Sequence, residues 1–320
     1  MDYVALLSGE CIEFSLAELS AYLEARGSRF KVKDRDERVV VFEADKGVDF
    51  SMLALTHEVS LFFGYTVDDV NTKMLDNRVN VRAMKFFKGG PLSSEAIERK
   101  VGKRLQDNGI KVDFSSGCVV RIHITKDKCY FGKVACLIDR KGIRKRDAKL
   151  RPYFMTGSIN AIYARAFVNL ARGIEGRLIG DPFCGSGAFL IEAGLMGMKV
   201  FGCDIAKEHV SGCIANLAHY GVDEADVRVM DALAVPGIRI KFDAVVSDLP
   251  WGKSTFLKYD KNELYRRFME ILPRILKKGR YAVVAGDAPQ SWHPPELQLV
   301  SSFELYVHKS AKRYVSVFRN

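Results

Sequence analysis

No stretch of this sequence approaches the roughly 18 consecutive apolar residues that a membrane-crossing helix requires, and hydrophobic residues make up 48% of the chain. The N-terminal MDYVALLSGECIEF carries three acids and no basic leader, so a secretory signal is not expected. Metal-binding spacing is missing as well. The seven cysteines, at 11, 118, 129, 136, 184, 203 and 213, form no C-x-x-C pair and no His-Cys cluster with zinc spacing. An odd number scattered through apolar segments reads as reduced, mostly buried thiols, so the expectation is a cytoplasmic chain without a structural metal. Tryptophan occurs only twice. Internal repeats and low-complexity tracts are lacking.

The net charge of +10 is unevenly placed. Residues 1–72 carry 7 Lys/Arg against 14 Asp/Glu, residues 73–151 carry 21 against 8, and residues 152–320 carry 21 against 17. A net +13 within 73–151 repels itself, and a polyanionic partner relieves that repulsion. Nucleic acid is the expected partner, against the plainer reading of a solvated basic face. Candidate RNA contacts in this block are Arg82, Lys85, Arg121, Lys145 and Arg146.

The first seventy residues read as six short elements. A strand at Tyr3–Leu7 precedes a helix opened by the capping box Ser15-Leu-Ala-Glu18 and stopped by Gly27. Strands at 29–33 and 39–43, a short helix at 49–57 and a strand at 59–65 complete a β-α-β-β-α-β order, the ferredoxin-like arrangement. In 78-RVNVRAMK-85, Val79, Val81 and Ala83 alternate with polar neighbours, which turns Arg82 away from the packed face. Ser94 is placed to cap a helix reaching Leu105. Residues 118–125 and 128–137 read as a hairpin. The run 139-DRKGIRKRDAKLR-151 has seven Lys/Arg in thirteen residues and reads as a flexible tether or an arm lying on phosphates.

From about 152 strands and helices alternate. Helices are expected at 158–172, 186–197, 207–220 and 261–277. Strands are expected at 177–180, 199–203, 227–230, 242–247 and 280–285, with a closing hairpin over 303–319. This pattern implies an α/β fold with a doubly wound, mainly parallel sheet, whose ligands bind at the carboxyl ends of the strands.

The acids recur there. The first strand ends in 181-DPFCGSGAF-189, where Gly185 and Gly187 allow close approach to the backbone. The turn lacks the third glycine of a dinucleotide fingerprint and the Lys of a P-loop. Asp204, Asp231 and Asp248 follow the next three strands. An acid about twenty residues past the glycine turn suits two ribose hydroxyls. An NAD site remains open on this reading, but Asp181 beside the turn repels a pyrophosphate. A cationic sulfonium meets no such conflict, so S-adenosylmethionine fits better. Ordinary helix capping explains any one of these aspartates, though less readily four in register.

The fourth strand runs into 247-SDLPWGKST-255. Asp248-Leu249-Pro250-Trp251 resembles the (Asp/Asn)-Pro-Pro-(aromatic) motif of class I amino-methyltransferases. An exocyclic amine is a poor nucleophile because its lone pair is delocalised into the base. The Asp248 carboxylate and the Leu249 carbonyl can each accept one N–H and so favour a pyramidal nitrogen. Pro250 fixes φ. Trp251 offers a stacking face worth about 1–3 kcal/mol, comparable to the cost of extruding a base. Leu249 departs from the usual Pro, at a position whose role runs through the main chain. A cytosine-C5 enzyme needs a cysteine in this slot, and none is there.

Three further segments, 93-SSEAIERKVG-102, 149-KLRPYFMTGSINAIYARAFVNLAR-172 and 181-DPFCGSGAFLIEAGLMG-197, together resemble the THUMP-domain tRNA guanine-N2 methyltransferases. The archaeal enzymes acting on guanosine 10 are most similar, with Ser254-Thr255 and 219-HYG-221 pointing the same way. The resemblance implies a ferredoxin-like domain over 1–70, a THUMP RNA-binding domain over 71–140, a basic linker over 141–157 and a Rossmann-like methyltransferase domain over 158–320. It further implies catalytic Asp248, Leu249, Pro250 and Trp251. Cofactor contacts would come from Thr156, Ser158, Asp181, Phe183, Gly185, Gly187, Asp204, Ile205, Asp231 and Ala232, with 155-MTGS-158 at the methionine end. Implied partners are tRNA, gripped by the THUMP region at its acceptor end, and, as in some relatives, a small zinc-binding activator subunit. Alternatives are another RNA guanosine such as guanosine 6 of tRNA, DNA adenine-N6 methylation, and a non-catalytic RNA-binding protein.

Overall fold

A computed structural model describes residues 1–87, 93–252, 259–308 and 311–320. The chain forms two compact units, one of Met1–Leu16 with Gly27–Asp139 and one of Ala17–Arg26 with Arg140–Asn320.

In chain order the first elements are β1 (Asp2–Leu7), α1 (Ile12–Ala25), β2 (Lys31–Asp36), β3 (Val39–Glu43) and β4 (Thr56–Gly64). They are followed by β5 (Arg78–Lys85), α2 (Ser94–Asp107), β6 (Lys111–Val112), β7 (Val119–Ile124) and β8 (Cys129–Leu137). The eight strands make one sheet in the order β2-β3-β1-β4-β8-β7-β5-β6. The boundary expected near residue 70 therefore falls inside a continuous sheet. Its join is the antiparallel pairing of β4 with β8, from Glu58 opposite Leu137 to Gly64 opposite Phe131, which satisfies backbone groups that would otherwise form two open edges.

The helix expected at 49–57 does not form. Asp49 accepts hydrogen bonds from the Ser51 N–H and hydroxyl at 2.8 Å, a local turn that competes with helical bonding. Phe50, Leu53, Ala54 and Leu55 are buried there without helical periodicity. The hairpin at β7–β8 and the inward placement of Val79 and Val81 agree with the sequence pattern. Helix α2 is capped one residue earlier than expected, by the Ser93 side chain, which accepts from the Ala96 N–H. Its Ile97, Val101 and Leu105, spaced four apart, pack on the Val79, Val81, Val120 and Ile122 face of the sheet.

The second unit continues with α3 (Arg140–Arg144), a 3-10 turn (Ala148–Leu150), α4 (Ala161–Leu170), β9 (Leu178–Asp181), α5 (Ala188–Leu195) and β10 (Lys199–Asp204). Then come α6 (Lys207–His219), β11 (Ala225–Val229), β12 (Phe242–Asp248), α7 (Lys261–Ile275), β13 (Leu276–Gly286), β14 (Gln298–His308) and β15 (Ala311–Arg319). The sheet order is β11-β10-β9-β12-β13-β15-β14. The first five strands run parallel, and β15 and β14 are antiparallel additions. The order reverses between β9 and β12, where an open α/β sheet leaves a crevice at its carboxyl ends. Helix α7 shows how sequence builds this layer. Asp260 caps it by accepting from Asn262 and Glu263, and Phe268, Leu272 and Ile275 recur on the face that packs over Phe242 and Val245.

The basic run 139–151 is a folded strap and not a loose tether. Ile143 is buried, and Arg146 donates to both Glu192 oxygens at 2.7 and 3.0 Å. Arg165 donates to the same carboxylate at 2.8 Å. Arg151 donates to the Arg146 carbonyl at 2.9 Å. A buried acid on α5 draws the strap inward. The second unit also takes up most of α1. Glu18 accepts from the Asn169 side chain at 2.7 Å, and Glu24 receives Arg172 at 2.7 Å and the Tyr281 hydroxyl at 2.6 Å. Among the described residues, no helix is long and apolar enough to cross a membrane. No cluster of three or more His, Cys, Asp or Glu among them can hold a metal ion.

Candidate active site

A cleft opens at the carboxyl ends of β9, β10 and β12, lined by Met155, Pro182, Phe183, Gly185, Asp204, Ile205, His209, Asp231, Ala232, Asp248, Pro250, Tyr259 and Leu264. Counting the open space at its mouth, it spans about 670 Å³.

The floor is built by the turn after β9. Gly187 has φ of 84°, and a Cβ there would lie 2.6 Å from Cys213 Sγ, so glycine answers both backbone and packing. Gly185, with φ of 47°, lies under Met155, whose Cε would be 2.8 Å from an added Cβ. The Gly185 N–H is not left for a ligand. It donates to Asp204 Oδ2 at 3.1 Å and ties the ends of β9 and β10 together. Asp204 Oδ1 accepts from the Ala206 N–H at 2.9 Å and faces His209 Nδ1 at 3.1 Å. Asp231 caps the 3-10 turn Ala232–Ile238 through Leu233 and accepts the Tyr259 hydroxyl at 2.9 Å. Both aspartates thus cap local backbone while also lining the cleft.

Asp181 lies beneath this lining and is 1% exposed. It accepts from the Ser247 hydroxyl at 2.6 Å and the Phe183 N–H at 3.2 Å. Complete burial pushes its carboxyl up to about 7, against the opposing effect of those two hydrogen bonds. Its neighbours Asp204 and Asp248 are acidic too. Such a floor favours a cation.

Asp248 is the last residue of β12 and lines the cleft. Its Oδ2 receives Arg313 Nε at 3.0 Å and Nη2 at 2.8 Å. Its Oδ1 receives the Trp251 indole N–H at a long 3.4 Å. Leu249 donates its N–H to the Ala285 carbonyl and buries its side chain in the core of this unit. That burial explains why an apolar residue serves where Pro is commoner. Pro250 lines the cleft and its carbonyl accepts from the Tyr265 hydroxyl at 3.1 Å, which braces the turn.

The cleft brings together Phe183, Gly185, Asp204, Ile205, Asp231, Ala232, Asp248 and Pro250 of the expected set. Asp181, Gly187, Leu249 and Trp251 support it from outside the lining. Thr156 is exposed and off the lining, and Ser158 bonds Ser186 at 2.8 Å, so their turn meets the cleft through Met155 instead. His209, Tyr259, Leu264 and Arg313 carried no sequence signal. Ser254 and Thr255 lie outside the described residues. Among the expected RNA contacts, Arg82 and Lys145 are exposed and Lys85 is half-buried. Arg121 and Arg146 are not open to phosphate. Arg121 bonds the buried Glu58 at 2.8 Å, and Arg146 is committed to Glu192. The Tyr220 hydroxyl of 219-HYG-221 reaches the Lys145 carbonyl at 3.5 Å.

The family model described as "UPF0020: RMKL-like, methyltransferase domain" matches residues 148–291. A tRNA (guanine(10)-N2)-dimethyltransferase of Methanothermobacter thermautotrophicus is 31% identical, with 99% of each chain covered. Another with the same name, from Pyrococcus abyssi, is 32% identical, with 98% of each covered. Among solved structures, TrmN from Thermus thermophilus superposes with a TM-score of 0.54 at 18% identity, covering all of both chains. SMU.472, a putative methyltransferase complexed with SAH, gives 0.52 at 16% identity, covering 100% of this chain and 98% of that one. These likenesses show the class I, Rossmann-like methyltransferase fold for the second sheet.

Proposed function

The chain belongs to the tRNA (guanine(10)-N2)-dimethyltransferase family, and on that premise we propose that Asp248 serves methyl transfer to N2 of guanosine 10 in tRNA. The chain is an S-adenosylmethionine-dependent guanine-N2 methyltransferase acting on RNA. One observation carries the site assignment. Asp248 stands at the strand end beside the switch point, with Oδ2 held by Arg313 and Oδ1 on the side of Trp251.

The cleft suits the cofactor through the chemistry of its donors. Asp204 beside Ile205 fits a ribose edge, Asp231 and Ala232 fit a base, and Phe183, Gly185 and the acidic floor suit a cationic end. When bound, the sulfonium supplies an electrophilic methyl group. The protein's part is orientation. Asp248 accepts one amine N–H, and the Leu249 carbonyl is the second candidate acceptor. Pro250 and Trp251 flank the base, and the methylated nitrogen sheds its proton to Asp248 and then to water. Acceptors fixed before reaction lower the barrier without reorganisation. An N2-methylguanine still bears one N–H for Asp248, which supports a second methylation.

Arg82, Lys85 and Lys145 remain candidate phosphate contacts, and the first unit is the candidate THUMP-containing module. A cytoplasmic setting goes with a tRNA substrate. A small zinc-binding activator is a candidate partner, tested by assaying the purified chain with and without it. The deciding experiment is mass spectrometry of nucleosides from tRNA treated with purified wild type and Asp248→Ala. Wild type is expected to yield N2-methylated guanosine at position 10. The variant is expected to yield none, while binding tRNA within about threefold of wild type. Product on another base, or an active variant, would overturn the assignment.

A further inference from the structure

Arg313 lies on β15, at the opposite end of the second unit's chain from the glycine turn, and is 6% exposed. Burying a guanidinium is costly unless its donors are used. Here they reach three parts of the site. Nε and Nη2 both fall on Asp248 Oδ2, at 3.0 and 2.8 Å. Nη2 also reaches the Gly157 carbonyl at 3.4 Å, in the turn that delivers Met155 to the cleft. The guanidinium carbon sits over the Trp251 ring, 5.1 Å from its centroid, a cation–π distance.

The loading of the carboxylate is asymmetric. Two charged donors occupy Oδ2, while among the described residues Oδ1 meets the Trp251 indole at 3.4 Å, a bond long enough to yield to a better donor. A carboxylate on a strand end can otherwise rotate about its own bonds and present either oxygen. Pinning Oδ2 removes that freedom and leaves Oδ1 to the incoming amine. The same side chain fixes the ring expected to stack on the base and the turn expected at the cofactor's methionine end.

We propose that Arg313 is a positioning residue of the methyl transfer: it holds Asp248 Oδ2, the Trp251 ring and the Gly157 turn in one arrangement, so that Oδ1 is aimed before substrate arrives. This rests on the assignment of Asp248 as the amine acceptor. Misplacing an acceptor by about 1 Å costs on the order of 100-fold in rate.

Single-turnover methylation at saturating S-adenosylmethionine and tRNA tests it, alongside both dissociation constants and the melting temperature. Arg313→Ala is expected to slow transfer by about 100-fold while both dissociation constants stay within about threefold. Arg313→Lys, which keeps one charged donor but not the fork, is expected to recover about tenfold of that loss. On an Asp248→Asn background, Arg313→Ala is expected to add little further, because the two act as one unit. Transfer within threefold of wild type in Arg313→Ala, with Asp248→Ala inactive, overturns the positioning role and leaves the function intact. An active Asp248→Ala overturns the acceptor assignment itself. Should Arg313→Ala fail to fold, Arg313→Lys decides: a wild-type rate in a folded Lys variant overturns the proposal, and a slowed rate at unchanged melting temperature supports it.

Discussion

Glu192 and Asp181 are both buried carboxylates of the second unit, yet they are satisfied in opposite ways. Glu192, on α5, is met by two arginines, Arg146 from the basic strap and Arg165 from α4. Asp181, at the end of β9, is met by a hydroxyl and one backbone N–H, with further acids as its charged neighbours. The first acid brings its counter-charge from the same chain and organises packing. The second sits beneath a cleft, so a cationic ligand is the natural source of what it lacks. The contrast also reaches the basic block. A run of lysines and arginines divides according to which of them meets a buried anion, and Arg146 turns inward where Arg82 stays outside.

Breaking the paired side should have the largest effect. Arg146→Ala leaves Glu192 buried with only one of its two arginines, and removing one partner of a buried pair costs about 3 kcal/mol or more. Denaturant unfolding is expected to show that loss, and the salt dependence of tRNA binding is expected to stay unchanged. The unpaired side gives a smaller, pH-dependent effect. Asp181 has its folded value raised to about 7, above the unfolded carboxylate range. The folded state therefore holds a proton that the unfolded state has lost, and stability falls as pH rises from about 4 to about 7, then levels. Asp181→Asn, which still accepts from Ser247 and Phe183, is expected to flatten that slope in melting temperatures taken across the range. Wild-type affinity for S-adenosylmethionine should rise over the same interval and flatten in the variant. The smallest effect belongs to the outward cations. Arg82→Ala is expected to leave the melting temperature in place and to reduce the slope of log K for tRNA against log salt by about one. An unchanged slope would make Arg82 plain solvated surface.

How much of this was legible in sequence follows the same divide. The parallel sheet and its acids were readable because most of its strands are short apolar runs and an acid stands at or just past the end of β9, β10, β11 and β12. The helix expected at 49–57 was misread because an Asp-Ser pair can make its own turn, and composition does not show that the hydrophobic residues around it are buried irregularly. The loose-tether reading of 139–151 fails because the strap's anchor, Glu192, is distant in sequence and looks like an ordinary helical acid. Arg313 was invisible for a related reason. Its partner Asp248 is 65 residues away, and nothing in a strand written AKRYVSVFR says which of its charges is buried.

Helix α1 has a practical consequence. Residues 17–26 are counted with the second unit although they precede nearly the whole of the first. A catalytic fragment starting at Arg140 would leave behind Glu18 and Glu24, and with them the partners of Asn169, Arg172 and Tyr281. No single cut separates the two units cleanly. Swapping the first unit for that of another protein would therefore require grafting this helix back onto the second.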